Sequence, residues 1–197
     1  MRYVKKWLLS GLWLCFSCQP DYRDLEPFGD NGLRVVIEMP AGSMDLFAFD
    51  GQSGDILPIL KEGLQQSIDV LPFPANFGFV PGTSLDVSGN SAGTPVRIMV
   101  IGPDLPTGTL TETRLIGLLK VKEGGKEKQM LLATPLTTTD PEQPLQGFQD
   151  FLLYRDSLKR AVEDWFVFYR NLPDTQIIGW DDEKAALKVV QQAILRD

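Results

Sequence analysis

The chain has 197 residues, enough for one domain with a sizeable core, and its 43% apolar and 23% charged content is that of an ordinary globular protein. A formal net charge of −7 argues against a nucleic-acid partner, because nothing here would neutralise a row of phosphates. Histidine is absent, which excludes any mechanism resting on an imidazole base, nucleophile or metal ligand.

Residues 1–18 read as a targeting segment. Arg2, Lys5 and Lys6 precede an apolar run from Trp7 to Phe16, shorter than the ~20 residues of a membrane-spanning helix. The run ends at Ser17-Cys18, and a small residue followed by cysteine is where a bacterial lipoprotein is cleaved and acylated. Acylation at Cys18 would place the protein in the bacterial cell envelope, lipid-anchored and extracytoplasmic, with the membrane as its first partner. A signal peptide cut without lipidation and an uncleaved anchor are the alternatives. Cys15 and Cys18 also have the spacing of a redox dithiol, but they lie inside an apolar run rather than at a strand-to-helix junction. Losing Arg2, Lys5 and Lys6 would leave 16 basic against 26 acidic residues, a formal charge of −10. Residues 19–30, with two prolines and four acids, read as a tether to a domain spanning 31–197.

Leu33 to Met39 is mostly β-branched and alternates poorly, the mark of a strand covered on both faces. Leu46 to Asp50 and Ile56 to Leu60 follow, joined by the hairpin signal Gly51-Gln52-Ser53-Gly54. Leu71 to Thr83 then packs three prolines, two glycines and three phenylalanines into thirteen residues, too rigid for a helix and too aromatic for a solvated linker. After a Gly/Ser/Asn stretch from Ser84 to Thr94, Pro95 to Ile101 reads as a strand and Pro103 to Gly108 as a turn. Arg114 to Val121 and Met130 to Thr134 form a further pair, linked by the charged Lys122 to Lys128. From Phe151 to Leu172 the period becomes helical, with Leu158, Val162, Trp165, Phe166 and Tyr169 on one face. Asp181 is placed to cap a last helix with Ala185, Ala186, Val189, Val190, Ala193 and Ile194 on its apolar face.

Val35-Val36-Ile37-Glu38-Met39-Pro40, followed by Phe73-Pro74-Ala75-Asn76-Phe77-Gly78-Phe79-Val80-Pro81, resembles the soluble, family I inorganic pyrophosphatases, whose pattern is Val-Val-Ile-Glu-Ile-Pro and then Tyr-Pro-x-Asn-Tyr-Gly-Phe-Ile-Pro. Agreement continues at Thr113 to Leu118, Trp165 to Leu172 and Gly179-Trp180, so the resemblance covers about residues 30 to 197. It implies a mainly β fold with α: an OB-like five-stranded barrel with flanking C-terminal helices. The implied activity is inorganic diphosphatase, a Mg2+-dependent hydrolysis of pyrophosphate to two phosphates.

That chemistry needs hard oxygen ligands to hold Mg2+, and lysine, arginine and tyrosine around the phosphates. Aligned on Pro95, the family's metal signature Asp-Gly-Asp-Pro-x-Asp falls on Ala92-Gly93-Thr94-Pro95-Val96-Arg97, with all three aspartates replaced. The two aspartates of the family's acidic loop fall near Glu123 and Lys128, leaving Glu123 as the one candidate metal ligand there. Lys-Tyr-Glu of the second strand becomes Leu46-Phe47-Ala48, the next strand's arginine becomes Leu60, and Phe77 keeps the ring of the loop tyrosine without its hydroxyl. Glu38, Arg114, Tyr169 and Arg170 survive, the last standing for the family's lysine.

Two expectations follow. In one, metal chemistry is lost and Arg97, Arg114, Lys128 and Arg170 make the old cleft an anion-binding or protein-interaction module that takes no cofactor. In the other, the chain is an active Mg2+-dependent diphosphatase with oxygens supplied from new positions by Asp45, Asp50 and Asp86, the last in the longer Ser84 to Ala92 loop. Arg97 lies in an apolar strand, where an unpaired charge is costly, so it wants an acidic partner or an anion. Glu38, flanked by apolar strand residues, has Arg114 as a candidate partner.

Overall fold

The computed structural model describes residues 21–85, 93–137, 145–168 and 174–194. Cys18, Ala92, Tyr169 and Arg170 lie outside them. Strands β1 (Leu33–Met39), β6 (Asn76–Phe79), β7 (Arg97–Val100), β9 (Lys126–Pro135) and β8 (Leu110–Glu123) pair in that order. Pairing of β1 with the start of β8 closes the five into a ring. The OB-like barrel with helices outside it is therefore what the chain forms. Strand β10 (Gln176–Asp182) extends the sheet along the far half of β8.

Alternation along the strands sorts residues to two sides. Val35 and Ile37 of β1, Ile98 and Val100 of β7, and Leu131 and Ala133 of β9 share one core cluster with Ala186, Val190 and Ala193 of α3 (Glu183–Ala193). Val36 faces the other way, with Phe79 and Tyr22. The same alternation puts Glu38, Phe77, Arg97 and Met99 on that outer side, so the face that carries the candidate site is the outer face of β1, β6 and β7. Gly78 makes the close pairing possible: a Cβ there would lie 2.0 Å from the Val36 carbonyl oxygen.

The hairpin of β2 (Phe47–Phe49) and β3 (Ile56–Pro58) forms where the Gly-rich turn indicates. A second, shorter hairpin, β4 (Leu60–Lys61) with β5 (Leu64–Gln65), follows it. The charged span 122–128 is the joined ends of β8 and β9 rather than a loop. Gly124 and Gly125, both at positive φ, close it in a two-residue turn that only such residues favour.

The expected helix from Phe151 is two helices, α1 (Phe148–Tyr154) and α2 (Asp156–Phe168), separated at Arg155. No proline or glycine marks that break. The helices follow different supports: Phe151 of α1 packs on Trp180 of β10, and Trp165 of α2 packs on Phe73 and Phe77. Asp182, one residue beyond the expected cap, caps α3 by accepting from the Lys184 and Ala185 amides.

The expected tether, 19–30, needs correction from Asp21 onward. Tyr22 is buried, its hydroxyl donates to the Gly108 carbonyl at 2.7 Å, and its ring meets Phe49 and Phe79 edge-on. Burial raises the Tyr22 phenol pKa. Arg23 clips the segment to the β2–β3 turn by donating to the Gln52 carbonyl at 3.0 Å. One aromatic side chain removed from water is enough to order a segment that acidic composition alone would leave loose.

Candidate functional site

Glu38 is 0% exposed at the end of β1, and strand register puts Arg97 within its reach. Its Oε1 accepts from the Phe49 amide at 2.8 Å and from Arg97 Nη1 at 3.0 Å. Arg97 Nη2 lies 2.5 Å from Oε2, an ion contact without hydrogen-bond alignment. The partner of Glu38 is thus Arg97 and not Arg114. Arg114 stands exposed beside Gln146, whose Oε1 accepts from its Nη1, just ahead of α1. Long-range pairing of β1 with β6 and of β6 with β7 made this choice, and no local spacing reports it.

Glu123 and Lys128 form a second pair across the β8–β9 hairpin, with the Lys128 ammonium on Glu123 Oε2. Glu123 is nearly buried while Lys128 is over half exposed. Among the described residues no hydrogen bond or ion pair joins this couple to Glu38 and Arg97. Thr94 lies on the exposed approach to β7, its backbone bridged to Leu85.

The wall of the site is made of rings. Phe77, 4% exposed, lies with its ring centre 4.8 Å from Phe73, 5.0 Å from Trp165 and 6.3 Å from Phe166. Trp165 donates from its indole nitrogen to the Leu71 carbonyl at 3.2 Å, fixing α2 on the aromatic loop. The helical spacing of Trp165 and Phe166 marked them as an apolar face. That this face would fill the space beside Phe77 was not legible. Leu46 and Phe47 pack against the same cluster, whereas Leu60 is exposed. On the other flank Phe49 stacks on Phe79 at 4.6 Å, beside a cavity of about 280 Å³ that also touches Tyr22, Arg23, Thr83 and Pro95. Arg23 is the cation on that cavity, and it is already held by Asp21.

Among the described residues, which leave out Asp86, the donors do not fit a Mg2+ ion. Such an ion takes near-octahedral oxygen ligation, with one or two carboxylates backed by further oxygens. Among the described residues no three acids, cysteines or histidines come together as a metal-holding group. Each acid of the site, Glu38 and Glu123, already carries a cation of the same chain.

The closed ring and the helices on its outside define an OB-like barrel protein, with the candidate site over β1, β6 and β7. The chain belongs to the inorganic pyrophosphatase family, whose sequence profile matches residues 35–196. It is 30% identical over 167 residues to the inorganic pyrophosphatase of Synechocystis sp., covering 82% of this chain and 89% of that one. With the Thermus thermophilus inorganic pyrophosphatase it is 29% identical over 183 residues, 86% of this chain and 94% of the relative. The crystal structure of the Thermus thermophilus enzyme superposes with a TM-score of 0.74 over 89% of this chain and 97% of that one, and at 22% identity it shows the shared fold. The inorganic pyrophosphatase of Helicobacter pylori superposes with a TM-score of 0.70 at 26% identity, over 87% and 96% of the two chains. The activity of the family is inorganic diphosphatase and depends on Mg2+.

Proposed function

We propose that this chain is a divergent, non-hydrolysing member of the inorganic pyrophosphatase family, tethered to the membrane of a bacterial cell envelope through acylated Cys18, and that its cleft serves as a binding module. The observation that carries this is Arg97 lying on Glu38. In the family's signature the position of Arg97 is an aspartate beside the attacking water. Here a guanidinium stands on the surviving glutamate, so metal and cation would compete for one buried carboxylate. Two-metal hydrolysis obtains its nucleophile near neutral pH by metal-bound water, and without the carboxylates that route is missing. Glu123, the other acid, is matched by Lys128 in the same way.

The pairing also bears on what the module binds. Arg97 and Lys128 are each neutralised by a partner, so a phosphate-like anion gains less from them than an open cationic cleft would give. Aromatic filling beside Phe77 removes further room. A protein partner fits this surface better than a small anion does.

The family's own activity is the second reading, and its support is membership at 30% identity to an inorganic pyrophosphatase. Phosphate release from pyrophosphate, with Mg2+ and then Mn2+, by the chain from residue 19 onward decides between the two. No turnover is expected in a sample shown to be folded. Turnover well above background that Arg97→Ala alters would establish a rewired diphosphatase and end the non-hydrolysing reading.

A further inference from the structure

Residues 57–65 are nine consecutive exposed residues, and five of them, Leu57, Pro58, Ile59, Leu60 and Leu64, are apolar. Leu60 and Leu64 are 58% and 72% exposed. They flank the tight turn of the β4–β5 hairpin, where Glu62 and Gly63 both take positive φ. Register pairs Leu60 with Gln65 and Lys61 with Leu64, so the leucines point to opposite faces of a two-residue finger. A core-forming hairpin would turn one face inward. This one offers apolar side chains on both, and no apolar cluster of the described residues includes them.

The position of the N-terminal segment says what the finger meets. Asp21 and Arg23 lie against the β2–β3 turn: a Cβ on Gly54 would sit 3.0 Å from Asp21 Oδ1, and Arg23 donates to Gln52. Cys18 is three residues before Asp21, so chain length alone keeps it within about 11 Å of Asp21. From the turn, β3 leads directly to the finger, about 20 Å of strand further on at ~3.3 Å per residue. The turn that holds Asp21 and Arg23 and the apolar finger are therefore two ends of one exposed ribbon, residues 51–65, in which Gly54 and Ile56 are the two residues that are not exposed.

We propose that this ribbon lies on the bilayer, with the Leu60–Leu64 finger inserted at the headgroup boundary as a second attachment beside the acylated cysteine. The proposal rests on the reading of Cys18 as a lipidation site. The acyl chains supply the affinity. The finger fixes the orientation, which a single flexible anchor leaves free, and so sets which face of the barrel looks away from the membrane. Glu62 at the tip and the acidic chain as a whole favour zwitterionic over anionic lipid.

The test uses the full chain, processed in a bacterial host and reconstituted in phosphatidylcholine vesicles, with a nitroxide on Leu64→Cys and, as control, on Glu127→Cys in the exposed β8–β9 hairpin. The mass of the product reports acylation of Cys18 separately. The expected result is that the label at 64 is relaxed several-fold more by oxygen than by a water-soluble nickel chelate, and the label at 127 the reverse. An acylated chain in which both labels favour the nickel chelate overturns the finger while leaving the anchor. A label at 64 immobilised and shielded from both reagents points to a second copy or another protein as occupant and also overturns it. A chain without the acyl group overturns the anchor and the proposal together.

Discussion

Arg97 and Glu38, 59 positions apart in the chain, form the ion pair at the centre of the candidate site, with Nη1 donating to Oε1 at 3.0 Å. Glu38 has no access to water, while Arg97 is 30% exposed. Removing the guanidinium leaves a buried carboxylate held by the Phe49 amide alone. Arg97→Ala should therefore destabilise by about 2 kcal/mol, below the ~3–5 kcal/mol typical of fully buried pairs because one partner is partly solvated. Arg97→Met combined with Glu38→Gln should recover most of that loss. Urea melts of the two variants test this, and a neutral single variant would mean that water reaches Glu38 through the cleft.

Millimolar Mg2+ should leave the melting temperature unchanged. A folded-state site saturated at a hundred times its Kd adds about 2.7 kcal/mol, or roughly 5–10 °C for a domain of this size. A rise of that order with Mg2+ would show a metal site that the donors described here do not supply. A rise with phosphate in the absence of metal would instead favour an anion over a protein as ligand.

A tyrosine in place of Phe77 should harm the protein. Phe77→Tyr puts a hydroxyl against the rings of Phe73, Trp165 and Phe166, whose faces offer no strong acceptor, at about 1–3 kcal/mol. The urea midpoint should fall and hydrolysis should not appear. A cost under about 0.5 kcal/mol would place the hydroxyl in water and the cleft open at this point.

The N-terminal clip should respond only to strong acid. Hydrogen bonds from the Arg23 side chain and amide lower the Asp21 pKa from 3.8 to about 2. A carboxylate depressed in the folded state contributes its stabilisation fully above the unfolded pKa and loses it as pH falls through the folded one. The clip is thus complete above about pH 4, falls away below it and is half released near pH 2. The Arg23 amide resonance should titrate with a midpoint near 2, and Asp21→Asn should abolish the step. A midpoint at the ordinary carboxylate value would mean the clip does not form in solution.

Local and periodic features were legible from the amino-acid order because their physics is local. Poor alternation in Leu33–Met39 announced a strand buried on both faces, Gly51 to Gly54 a hairpin, and the 3.6-residue spacing of Val162 and Trp165 a helix face that packs inward. The barrel with helices was legible from the family pattern. Tyr22 was hidden in an acidic stretch because its burial depends on Phe49 and Phe79, brought to it from elsewhere. The break at Arg155 went unseen because it comes from two different docking surfaces, not from a helix-breaking residue.

Sequence alone determined which residue types could take part: no imidazole, a cation at 97 in an apolar strand, a phenylalanine at 77. Which acid Arg97 would neutralise, and whether the space beside Phe77 would stay open, were decided only by tertiary structure. Charges and rings choose partners by distance in space, and the pairing of β1, β6 and β7 and the docking of α2 set those distances.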